Sequence, residues 1–80
     1  MRKYRAYRVD WVDTMHRSGW KMPEDDMSLI PNSTMGYIVE RTREYIALAQ
    51  TIGHDKDAMP FSSVTTIPRG CIKKMTRIDK

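Results

Sequence analysis

Eighty residues, 40% hydrophobic and 30% charged, fit one small globular domain near the lower size limit at which an apolar core holds a fold unaided. The lone cysteine, Cys71, rules out an intrachain disulfide framework, and no apolar run approaches the roughly 20 residues that cross a bilayer. The net charge of +4 is uneven: residues 1–21 carry six basic side chains against two acidic, 69–80 carry five against one, and 22–68 carry three against seven.

In chain order, "YRAYRVDWV" (4–12) sets Tyr7, Val9 and Trp11 on one face and Arg8 and Asp10 on the other, the period of a strand. Ser18-Gly19 signals a turn. Pro23 followed by Glu24, Asp25 and Asp26 predicts one or two helical turns, because proline and early acids suit a helix start. "IPNS" (30–33) reads as a second turn. The stretch 34–52, "TMGYIVERTREYIALAQTI", reads as a hairpin with its tip near Thr42-Arg43. The competing reading is a single helix, since Ile38, Thr42, Tyr45, Ala49 and Ile52 also fall at helical spacing.

"GHDKDAMP" (53–60) is a polar loop, and "SSVTTI" (62–67) is a strand rich in β-branched residues. Pro68 removes a ladder donor and keeps Ile67 extended, while Gly70 tolerates a positive φ. Residues 68–70 are therefore expected to form a tight corner, a 3₁₀ turn being one form of it. "CIKKMTRI" supplies the last strand. Five short strands at this spacing predict a mainly β domain: a small five-stranded SH3-like or Sm-like barrel. In such barrels the last strand lies beside the first, which would merge the two basic ends into one positive surface.

Catalytic and metal-binding constellations are weak. His16, Ser18 and Asp13 surround one turn, but a triad needs a buried orienting acid and an oxyanion hole, which proximity does not supply. Cys71 has Lys73 and Lys74 nearby, yet reads first as a small buried hydrophobe. His54, Asp55 and Asp57, like Glu24-Asp25-Asp26, read as solvated loops without zinc or calcium spacing. Neither an enzyme nor a cofactor is expected.

Phosphate recognition has more behind it. Arg69-Gly70 with Lys73 and Lys74 combines a planar fork, two point charges and turn amides at one corner. Trp20 follows a turn glycine in a charged segment, which suits an exposed stacking ring. The candidate ligand contacts are Arg17, Trp20, Arg69, Lys73 and Lys74.

"GW" at 19–20, "MGYIVERTREYIALA" at 35–49 and "IPRGCI" at 67–72 together resemble small accessory proteins encoded by bacteriophages and related mobile elements. The likeness runs from about Val9 to Ile78 and omits residues 53–60 and the basic tails. It implies a phage accessory protein, often one that blunts a host process, and it supplies no catalytic residue.

The expected role is sequestration of an anionic nucleotide by a homo-oligomer in the cytoplasm of a bacterial host cell. The charged N-terminal segment "MRKYRAYRVDW" has no apolar leader region, so neither export nor membrane insertion is expected. Two alternatives stand beside this role: a barrel that binds nucleic acid, and an inhibitor that covers a functional site on a host protein target.

Overall fold

The computed structural model describes residues 4–13, 19–24, 28–57 and 59–79. They form β1 (Ala6–Asp13), β2 (Ile30–Arg41), β3 (Tyr45–Ile52), β4 (Phe61–Pro68), a 3₁₀ turn (Arg69–Cys71) and β5 (Ile72–Arg77). All pairings are antiparallel, and the strand order is β4-β3-β2-β1-β5. The hairpin over 34–52 is therefore the correct reading, with its tip where expected. Thr42 closes the tip: its amide donates to the Tyr45 carbonyl at 2.9 Å, and its hydroxyl oxygen accepts from the Glu44 and Tyr45 amides.

β4 and β5 lie at opposite edges of the sheet, although only the 3₁₀ turn separates them. Five flat strands would put those edges about 19 Å apart, whereas the four steps from Pro68 to Ile72 reach at most about 14 Å. The sheet must curl at that end. The curl wraps a core of fully buried Val9, Ile46, Leu48 and Ile67, with Tyr7, Trp11, Ile38, Cys71, Ile72 and Met75 packed against it. Each such large side chain contributes about 1.5–3 kcal/mol of burial.

The expected barrel is not closed. Among the described residues the corner leads β5 onto β1, β4 pairs only with β3, and both outer edges stay open. The molecule is elongated, with extents of 54 × 26 × 20 Å and a radius of gyration of 16.2 Å where a compact chain of this length would have about 12 Å.

Two local expectations are also revised. "IPNS" is not a turn but the start of β2. The Ile38 amide donates to the Arg5 carbonyl, so from Ile30 to Ile38 the even-numbered residues of β2 direct their backbone groups at β1 and the odd-numbered ones away from it. β2 pairs with β3 only from Tyr37 onward. The amide that Pro31 lacks would have faced this unpaired side, so the strand tolerates the proline. The corner at 69–71 needs no positive φ at Gly70; among the described residues only Gly19 and Ser63 have one, at 86° and 56°.

Pro23 and Glu24 lie in a turn, while the rest of the expected helical segment, Asp25 and Asp26, falls outside the described residues. No helix among the described residues is long and apolar enough to cross a membrane.

Candidate functional site

The ladder between β1 and β5 joins the two basic ends of the chain, with Tyr7 opposite Arg77 and Asp10 opposite Lys74. Beyond β5, the Ile78 amide donates to the Ala6 carbonyl at 2.9 Å. The positive surface at this seam is partly neutralised by Asp10. Its carboxylate accepts from the Ser33 hydroxyl at 2.6 Å and from the Arg8 Nε at 3.0 Å. The Ser33 bond is the main reason the Asp10 carboxyl sits below its usual range; Arg8 and the charge of Lys74 add to it.

Four of the five residues expected at the site lie among the described residues, on three different segments of the chain. Lys73 and Lys74 are exposed on β5, and the ladder shifts register next to them, between Asp10 and Trp11 on β1. Arg69 is half-buried, and its side chain turns inward: the Nε donates to the Thr42 carbonyl at 3.0 Å. Its amide donates to the Glu44 carbonyl at 2.8 Å. Arg69 thus ties the 3₁₀ corner to the β2–β3 tip. Trp20 is fully exposed in the segment after Gly19. Arg17 falls outside the described residues.

A different cluster forms on the opposite side of β1. Tyr4, Arg5, Tyr7, Glu40 and Arg41, with Ile38 and Val39, line an open groove of about 310 Å³. The β2–β3 ladder shifts register at Val39, so that Glu40 pairs with Ala47 and Arg41 with Ile46. Such a bulge re-aims the residues after it. In unbroken alternation Arg41 would share the face of Tyr37; instead it shares the core-facing side with Ile46. There its guanidinium lies 5.6 Å from the centroid of the Tyr7 ring.

The groove is bounded on its acidic side by Glu40, which accepts from the Tyr45 hydroxyl; that bond pushes the Tyr45 phenol up. Tyr4 meets Phe61 edge-on at 5.4 Å, linking the approach to β1 with the start of β4. Two guanidinium groups against one carboxylate leave the groove positive. Planar donors and flat rings side by side suit a ligand with both an anionic and an aromatic part. Among the described residues the lining has no thiol, imidazole or aliphatic hydroxyl; its oxygen-bearing side chains are Glu40, Tyr4 and Tyr7.

The repeated Tyr-Arg of "YRAYRV" and the "ER" ending β2 carry this site in the sequence, but nothing in the pattern announces the bulge that joins them. No protein-family model, curated protein or solved structure matches the chain.

Proposed function

We propose that this chain is a non-enzymatic binding protein that captures a phosphate-bearing ligand of nucleotide size and, as a homo-oligomer, withholds it from other users. The observation that carries the reading is the groove in which Arg5 and Arg41 stand beside Tyr4 and Tyr7. Its volume lies at the small end of ligand pockets, enough for one nucleotide unit. Arg41 supplies a fork for a phosphate, and Tyr4 and Tyr7 supply stacking surface for a base. Lys73, Lys74 and Arg77 on β5 extend positive charge along the neighbouring seam, while Arg69 acts first as a structural tie.

The sequence resemblance implies a phage accessory protein, often one that blunts a host process; on this reading the process is a defence pathway, the ligand its signalling nucleotide, and the scaffold an SH3-like or Sm-like sheet left open at its edges. Calorimetric titration with mononucleotides, cyclic dinucleotides and a short single-stranded RNA tests it. A saturable nucleotide complex, with the nucleotide recovered intact after denaturation, supports the reading. Loss of binding in the Arg5→Ala/Arg41→Ala double variant places the ligand in the groove. Unchanged affinity in that variant overturns the assignment. Affinity confined to RNA and falling steeply with salt identifies a nucleic-acid binder instead.

A second reading has its own support. Trp20 and Met59 are almost wholly exposed and Met22 and Met35 largely so, a composition suited to covering a site on another protein. Co-purification of a host enzyme with the chain, without bound nucleotide, favours that role.

A further inference from the structure

We infer that the uncharged edge strand β4 pairs with β4 of a second copy about a two-fold axis, making one continuous sheet across the dimer. The two open edges differ in chemistry. β5 presents Lys73, Lys74 and Arg77, and its ladder with β1 is irregular beside Lys73; charge and irregularity are how edge strands avoid unwanted pairing. β4, Phe61–Pro68, carries no charged residue in eight, and six of its residues are exposed. Two β5 edges would bring six cations together, whereas two β4 edges bring together none.

The outward backbone groups of β4 follow from its inner ladder. The Arg69 amide donates to the Glu44 carbonyl, so Ile67 and Thr65 also face β3, and Val64, Thr66 and Pro68 direct their backbone groups outward. The left-handed φ of Ser63 interrupts the regular strand at its other end and leaves Val64–Pro68 as the pairing segment.

With Thr66 opposite its own copy, Thr66 gives and accepts a bond, and the Val64 amide meets the Pro68 carbonyl of the other copy. Both halves together make about four backbone hydrogen bonds; Pro68 accepts but cannot donate, so the Val64 carbonyl opposite it goes without a ladder partner. Val64, about half exposed in the single chain, becomes covered. Four fully buried large side chains among the described residues make a small core, so added burial between copies is worth more here than in a larger fold. The inference gives the homo-oligomer of the proposed function its interface, but its observations are those of the edge and do not depend on what the groove binds.

Sedimentation equilibrium of the full chain, with and without nucleotide, tests it together with Thr66→Lys. Thr66 is exposed, so the substitution leaves the single-chain core intact. The expected result is a wild-type dimer whose dissociation constant rises about a hundredfold in Thr66→Lys, as two like charges meet at the axis. Thr66→Cys in a Cys71→Ala background is expected to form a disulfide with its own copy under mild oxidation. A monomer at millimolar concentration overturns the inference. So does a dimer that Thr66→Lys leaves intact, or a crosslink that forms only between Thr66→Cys and Lys74→Cys chains.

Discussion

The Arg69 Nε reaches the Thr42 carbonyl at 3.0 Å, so the corner before the last strand is fastened to the tip of the central hairpin. This one bond joins segments 27 residues apart. Arg69→Ala is expected to lower stability by about 1–2 kcal/mol, the range for a charged donor to a carbonyl at a half-exposed site. Arg69→Lys is expected to recover only part of it, because an ammonium cannot present the same fixed fork. Urea unfolding at neutral pH checks both, and a loss below 0.3 kcal/mol, roughly the measurement error, would dismiss the tie.

Asp10 gives a pH signature. Its folded carboxyl lies below the ordinary 3.8 because the Ser33 hydroxyl and then Arg8 favour the charged form. The stabilisation is therefore fully present above that ordinary value and disappears as pH falls through the lowered one. Asp10→Asn is expected to unfold at lower urea than wild type near pH 7, with the gap closing under strong acid. A gap that persists at the lowest pH would mean that the residue acts through packing instead.

Two glycines are expected to behave oppositely. A Cβ on Gly36 would lie 2.9 Å from the Ala49 carbonyl oxygen, a backbone atom that cannot swing aside. Gly36→Ala should cost about 1–3 kcal/mol. A Cβ on Gly70 meets nothing within 4 Å, and the backbone there is not left-handed. Gly70→Ala should be neutral or gain about 0.4–1 kcal/mol through the unfolded state. Thermal melts of the pair decide the matter.

Arg41 separates binding from folding. Its contact with the Tyr7 ring is exposed and is worth about 0.5–1 kcal/mol, so Arg41→Gln should melt close to wild type. Nucleotide affinity in the same variant should fall at least tenfold, the loss of one charge-assisted bond. Lys73→Ala/Lys74→Ala, outside the groove, should weaken binding less and mainly reduce its salt dependence. Equal losses in the two variants would relocate the ligand to the seam.

The sequence read alone conveys most of the strand framework. Alternation of Tyr7, Val9 and Trp11 marks β1; "ERTRE" between apolar runs marks the hairpin; Pro68 and Gly70 mark the corner. Its failures share a cause: each depends on what lies across the sheet. Pro31 looked like a turn because local propensity does not register that its missing donor faces an unpaired side. The tie made by Arg69 has no signal in the sequence because the Thr42 carbonyl that holds it lies 27 residues away, at the tip of the β2–β3 hairpin. Arg41 has no signal in the sequence because a one-residue bulge, invisible in composition, moves it from one face to the other. Closure could not be read either, since strand count and spacing are the same for a shut barrel and for a sheet curled at one end.

The parting of β2 from β3 beyond Tyr37 has a consequence for isotope exchange. Over Ile30–Gly36, alternate amides point at β1 and into the gap. In deuterated solvent the Thr34 and Gly36 protons should linger, while those of Ser33 and Met35 vanish early, an every-other-residue rhythm in the middle strand of a five-stranded sheet.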